Sequence, residues 1–281
     1  MRIKILSDST CDLAPEQLEK YNITLVPLIV VKDGEEFRDG VTITPADIFA
    51  HVAAGGSLCT TAALSVGVYE EQFAKYSKEY DGVLHINIGS GFSSSYQHAC
   101  LAAESFSNVR VIDSQNLSTG QGHIVLKACQ LASSCQSLDE LVAALEAYIP
   151  KVEASFLLDR LDYMVKGGRC SSVVALGANL LGLKPCIEVK DGKMVVVKKY
   201  RGNYAKCLAG YVKDRLDSRD DLNKDLLFIT HTPISQECLD AVRGAVRQYG
   251  VGFREVVETN AGCTVSCHCG PGTLGILFLR A

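Results

Sequence analysis

Four loops rich in hydroxyls and glycine hold most of the chemistry this sequence can offer. They are Thr60-Thr61-Ala62-Ala63-Leu64-Ser65, Gly89-Ser90-Gly91-Phe92-Ser93-Ser94-Ser95, Asp113-Ser114-Gln115-Asn116-Leu117-Ser118-Thr119-Gly120-Gln121-Gly122 and His268-Cys269-Gly270-Pro271-Gly272. Each falls at an expected strand end or helix start, where open α/β sheets bind their ligands. A helix N-terminus presents unpaired N–H groups and about half a positive charge, so hydroxyls added there make an anion cradle. Ser93-Ser94, opening an expected helix, fits this best. Taken singly, each loop also reads as an ordinary cap or turn.

The anion is not expected to be a nucleotide phosphate. No G-x-x-x-x-G-K-[ST] loop occurs. Gly270-Pro271-Gly272-Thr273-Leu274-Gly275 matches G-x-G-x-x-G, but the six residues after it read as a strand and leave no room for the distal acid of a dinucleotide site. A Ser-His hydrolase built on Ser93 or Ser65 with His268 is the alternative, although Ala63-Leu64-Ser65-Val66-Gly67 lacks the first glycine of a nucleophile elbow. Cys263, Cys267, His268 and Cys269 have ligand chemistry. Zinc sites use two separated C-x₂₋₄-C pairs, however, and consecutive residues on a strand point to opposite faces. Of the six His, five lie in helix- or strand-like runs, whereas His268 precedes a Gly-Pro-Gly turn. In Lys166-Gly167-Gly168-Arg169 the glycines let the backbone bend and aim a guanidinium inward, or else end a helix beside a solvated cation.

These residues sit on an alternation of β-branched runs and amphipathic stretches, the pattern of an α/β protein. Strands are expected at Ile3–Leu6, Ile23–Val31, Val83–Ile88 and Val109–Asp113. Asp33-Gly34 is a hairpin turn into Glu35–Arg38. Helices follow at Thr44-Pro45-Ala46-Asp47 (capped, and ended by Gly55-Gly56), Tyr69–Tyr80, Ser93–Phe106, Thr119–Ser133 and from the capping box Ser137-Leu138-Asp139-Glu140 to Ile149. The pattern restarts after Pro150, which divides the chain into residues 1–152 and 153–281. The second part carries a hairpin of Pro185–Val189 and Met194–Tyr200 about Asp191-Gly192, helices at Asn203–Leu216 and Ser235–Tyr249, and strands at Leu226–Thr230, Phe253–Glu258 and Ile276–Leu279.

Composition narrows the function. With 28 Lys+Arg against 32 Asp+Glu the net charge is −4, which provides no basic field for nucleic acid and argues against a DNA-binding regulator. Hydrophobic residues make up 47% of the 281, enough for large cores. No apolar run reaches the ~18–20 residues of a membrane span. Met1-Arg2-Ile3-Lys4-Ile5 runs straight into a strand without a signal-peptide core, so the 12 Cys are expected to be reduced and the protein cytoplasmic.

Read together, Asp8-Ser9, Thr60-Thr61 with Ser65, Ile88-Gly89-Ser90-Gly91-Phe92-Ser93, Ser95-Tyr96-Gln97, Asp113-Ser114-Gln115, Gly120-Gln121-Gly122, Tyr163 with Lys166–Arg169, Lys184-Pro185 and His268 with Gly270-Pro271-Gly272 resemble the DegV family, in the family's order and over essentially the whole chain. The resemblance implies two α/β domains with a lipid site between or within them. It also implies a bound long-chain fatty acid as the only ligand, no other cofactor and no metal. The family's best understood members are the fatty-acid-binding subunits of bacterial fatty acid kinase, a role in phospholipid metabolism. By motif, Thr61, Ser93 and Ser94 with His268 fall at carboxylate-binding positions, and Arg169 and Ser114 at supporting ones. Ala62-Ala63-Leu64 and Ser94-Ser95 depart from the family's Ser-Gln-Pro and Gly-Thr, which bears on which acyl chain fits.

Physical chemistry fits that implication. Burying about 15 methylenes at ~0.8 kcal/mol each gives a gross ~12 kcal/mol, before the cost of immobilisation. A buried carboxylate needs fixed donors, which Thr61, Ser93 and the N–H groups after Ser93 would supply. A protonated His268 would add a charge-assisted bond. The expectation is a non-catalytic carrier that presents its acyl chain to a separate ATP-dependent kinase subunit, with at most transient membrane contact. The alternative is a serine esterase or thioesterase using Ser93 and His268.

Overall fold

The computed structural model describes residues 1–174 and 182–281. The first half runs β1 (Ile3–Asp8), α1 (Pro15–Lys20), β2 (Thr24–Val26), β3 (Ile29–Lys32), β4 (Glu35–Arg38), α2 (Pro45–Ala53), β5 (Thr60–Ala62), α3 (Val66–Tyr76), β6 (Gly82–Asn87), α4 (Ser95–Ala103), β7 (Val109–Asp113), α5 (Ser118–Ala132) and α6 (Leu138–Tyr148). Local signals set many of these boundaries. Thr44 and Asp47 cap α2 reciprocally, Ser137 accepts from the Glu140 N–H at the start of α6, and both residues of the Asp33-Gly34 turn have positive φ, as a tight hairpin requires. The expected run Ile23–Val31 is instead two strands, because Pro27 has no N–H to continue a ladder.

The second half runs β8 (Val152–Leu157), α7 (Asp162–Gly167), α8 (Ser171–Val174), β9 (Leu183–Lys190), β10 (Lys193–Arg201), α9 (Tyr204–Leu216), β11 (Leu222–His231), α10 (Gln236–Tyr249), β12 (Glu255–Asn260), α11 (Cys263–Cys269) and β13 (Leu274–Arg280). Strands β5 and β8 and helices α1, α8 and α11 have no counterpart in the sequence-based reading, whereas α7 ends at Gly168 in the left-handed region, the helix end offered for Lys166-Gly167-Gly168-Arg169. The largest difference is α11. Cys267, His268 and Cys269 lie on a helix, so the strand geometry that spoke against convergence of the cysteines does not apply. Cys263 and Cys267, one turn apart, join Cys59 in a small apolar core.

Three sheets organise these elements among the described residues: a parallel one ordered β2-β1-β6-β7, a small antiparallel one ordered β4-β3-β5, and a six-stranded one ordered β10-β9-β8-β13-β11-β12. The chain is therefore α/β throughout. Helix α5 lies between the parallel and six-stranded sheets, touching β1 and β6 on one side and β8, β11 and β13 on the other. His123, on α5, contacts the Leu277 carbonyl of β13 at 3.1 Å. The main apolar core accordingly runs without interruption from Leu6 and Ile86 to Phe156, Phe228 and Leu277. Helix α11 comes from the second half but packs on the small sheet and α2 of the first. That arrangement brings the ends of the chain's motifs together.

Candidate functional site

The site forms where α11, β5 and the start of α4 meet. Thr61 is held in β5 by pairing with Val30, which turns its side chain opposite to those of Thr60 and Ala62. From α11, His268 Nε2 lies 2.7 Å from Thr61 Oγ1. Ser93 Oγ lies 2.9 Å from Ser95 Oγ and accepts from the Ser95 N–H at 3.2 Å, so the serines brace the entrance to α4. His98, one turn further along α4, contacts the Leu64 carbonyl at 2.6 Å and ties the segment after Thr61 to that helix. Arg169 spans the mouth, donating to the carbonyls of Gly167 at 2.6 Å and Phe92 at 3.4 Å.

Thr61, Ser93, Ser94, Arg169 and His268 all line one cavity of ≈ 650 Å³ counted to its open mouth, with Leu28, Phe92, Met194 and Thr264 among its other walls. Ser114 lies elsewhere. It is fully buried, exchanges hydrogen bonds with the Asn116 N–H and carbonyl, and shapes the loop that delivers Leu117 to the cavity. Beneath the site, buried Asp8 accepts from the Ile88 N–H, Thr10 and Gln121, and Asp113 accepts from the N–H groups of Ser90 and Gln115. These contacts at the carboxyl ends of β1, β6 and β7 fix the glycine-rich loops.

A second, narrower chamber adjoins the first, sharing the walls Leu117, Val265 and Cys269. Its lining includes Ser118, Ser155, Thr230, Thr232 and Thr273, which in sequence look polar. Each of those hydroxyls is engaged elsewhere: Ser118 with Asp12, Ser155 with Tyr211, Thr230 with Thr119 and Thr259, Thr232 with the Gly270 carbonyl, and Thr273 with the Cys269 carbonyl. What they leave facing the chamber is methyl and methylene surface, completed by Phe156, Val189 and Leu277. Polar head cavity and apolar chamber together suit an amphiphile with one anionic end.

The electrostatics differ from expectation at His268. Burial, and secondly the charge of Arg169, push its pKa down to about 4, so in the free protein the imidazole is neutral at neutral pH. Its Nδ1 is buried without a partner among the described residues. An arriving carboxylate would supply the missing countercharge. The geometry an esterase needs is not formed: Ser93 pairs with Ser95, and His268 pairs with Thr61 and has no carboxylate on Nδ1. No group of three or more His, Cys, Asp or Glu among the described residues is arranged to hold a metal ion, and none of their helices is long and apolar enough to cross a membrane.

Sequence reasoning missed two residues that hold this site. Asp39, buried after β4, accepts from the N–H groups of Cys263 and Thr264 at 2.9 and 3.1 Å, from Thr264 Oγ1 at 2.7 Å and from Ser9 Oγ at 2.9 Å, clamping the start of α11. Asp12 accepts from the Gly262 N–H at 2.8 Å and from Ser118 at 2.6 Å. Their partners at the start of α11 lie more than 200 residues away for Asp39 and 250 for Asp12, so no local pattern signals them.

The sequence matches, over residues 2–281, the model of a family described as uncharacterised protein, DegV family. A DegV domain-containing protein of Clostridium acetobutylicum is 33% identical over 283 residues, spanning 99% of each chain. A solved structure from Thermus thermophilus, described as fatty acid binding of a DegV family protein, superposes with a TM-score of 0.90 at 29% identity and covers 100% of both chains. Another, a stearic acid-binding protein from Eubacterium ventriosum, gives 0.85 at 26% identity over 99% of this chain and 98% of that one.

Proposed function

This chain belongs to the DegV family, and from that membership we propose that it binds one long-chain fatty acid, carboxylate in the head cavity and tail in the apolar chamber. The observation that carries the reading is the convergence of Thr61, Ser93, Ser94, Arg169 and His268 on a cavity whose inner wall is also the wall of the chamber. Thr61, Ser93 and the N–H groups opening α4 donate to the carboxylate, with Ser94 at the same helix start. His268 becomes the fourth donor once the ligand's charge draws a proton onto it. Arg169 holds the loop around Phe92, and Ser114 holds the one that carries Leu117. The solved relatives described as binding fatty acid or stearic acid support this reading.

The protein then acts as a carrier that presents the carboxylate to a separate ATP-dependent kinase subunit, which forms the acyl phosphate. The absence of a Walker-type loop from the sequence supports leaving the nucleotide to that partner. Competition of palmitate against a fluorescent fatty acid tests the first step. Each of Thr61→Ala and Ser93→Ala is expected to weaken binding about tenfold, the effect of one lost hydrogen bond to a charged group. Unchanged binding in both variants contradicts the assignment. An esterase would instead turn over chromogenic acyl esters and label at one serine with a fluorophosphonate, and a carrier does neither.

A further inference from the structure

The head cavity and the apolar chamber meet at three side chains that line both: Leu117, from the loop before α5, and Val265 and Cys269, one turn apart on α11. All three are buried, and they come from two separate elements. Leu117 is delivered by the loop that Ser114 closes, and Ser118 immediately after it has a φ of +53° and bonds Asp12. Val265 and Cys269 ride on the helix clamped by Asp39 and Asp12, the same helix that presents His268. These three side chains form the partition between the two spaces, so a tail that runs from the carboxylate site into the chamber has to pass them.

We propose that this three-residue neck is the specificity determinant of the site. It decides whether an acyl chain can extend beyond the head cavity, and hence which chain lengths and shapes are accepted. The inference rests on the fatty-acid reading above and adds the residues that select within the class. Two features make the neck a selector rather than a passive wall. Its Val265–Cys269 side cannot shift without His268, because α11 carries all three. Beyond it the chamber is apolar only as long as the hydroxyls of Ser155, Thr230 and Thr273 keep their partners, so the chamber rewards a tail that fills it and offers nothing to a polar terminus.

The test is an affinity profile for straight saturated acids from 8 to 18 carbons, measured by displacement of a fluorescent fatty acid. In the unaltered protein affinity should climb through the long acids. In Cys269→Leu, which narrows the neck, the gain in affinity from further carbons should stop, lowering the stearate-to-decanoate ratio at least tenfold. A profile parallel to that of the unaltered protein overturns the neck. If the unaltered protein binds none of the acids, the fatty-acid reading itself fails. Should Cys269→Leu not fold, as judged by its thermal transition, Leu117→Ala decides. Widening the neck should raise the affinity of a cis-unsaturated acid relative to the saturated acid of equal length at least threefold, and an unchanged ratio overturns the proposal.

Discussion

At the residue scale the proposed carboxylate site turns on His268. Its pKa of about 4 in the free protein reflects burial next to Arg169 without a countercharge. A bound carboxylate reverses that balance and raises the value, so binding takes up a proton. Affinity should therefore grow as pH falls from the raised, ligand-bound pKa towards 4, by up to tenfold per pH unit from this group. Histidine NMR titration with and without a saturating fatty acid checks this: the His268 resonance should titrate at least about one unit higher when loaded. Gly167 offers a second handle, because a Cβ there would stand 2.3 Å from His268 Nδ1. Gly167→Ala should displace the ring and weaken fatty-acid binding about tenfold in the same displacement assay, while lowering the melting temperature by only a few degrees. Thr61, Ser93, Arg169 and His268 were legible in the sequence because hydroxyls, glycines and a histidine cluster in short loops. Leu117, Val265 and Cys269 were not, since a buried apolar residue looks the same whether it faces a ligand or another core side chain.

At the scale of elements, α11 shows where sequence reading ended. Its seven residues, Cys263-Thr264-Val265-Ser266-Cys267-His268-Cys269, include no strong helix former. Tertiary contacts make it a helix: one face packs Cys263 and Cys267 against Cys59, Val30 and Ile48, and Asp39 satisfies its first N–H groups. The strands and hairpins, by contrast, follow from local chemistry, as at Asp33-Gly34 and Asp191-Gly192, where successive residues take positive φ. Asp39→Ala strips the clamp and leaves two buried N–H groups and the Thr264 hydroxyl without their acceptor. A loss of about 2–4 kcal/mol is expected in urea denaturation. Fatty-acid affinity should fall with it, since α11 positions His268 against Thr61. A variant that loses stability but binds normally would show that α11 keeps its place without Asp39.

For the whole molecule, acid should loosen the fold in a predictable window. His85, His123 and His268 are held by burial below their ordinary 6.5, at about 3, 4 and 4. Below pH 6.5 the unfolded chain takes up these protons and the native chain does not, so stability falls towards pH 4, with a limiting slope of about 1.4 kcal/mol per pH unit for each. Asp12, raised by burial from 3.8 to about 8, works in the opposite sense: its contribution is complete below 3.8 and is lost as pH rises through 8. Buried Asp8 is shifted the same way. The histidines outnumber them, so between pH 4 and about 6, where the unfolded chain holds most of the three histidine protons, the net slope remains destabilising on acidification. Among the described residues His85 has no partner on either ring nitrogen, and it packs against Tyr69 and Phe73. His85→Phe should therefore raise stability at pH 7 by about 1 kcal/mol and make the acid limb shallower by about one proton. An unchanged limb would contradict the assignment.

The same continuous interior that produces this acid limb also holds the proposed ligand, because α5 and α11 weld the two halves around the head cavity and chamber. Native mass spectrometry of the protein incubated with palmitate tests that directly. One adduct of palmitate mass per chain is predicted, fading in the Thr61→Ala, Ser93→Ala double variant. A bare protein peak after exposure to acids from 8 to 18 carbons would contradict the account.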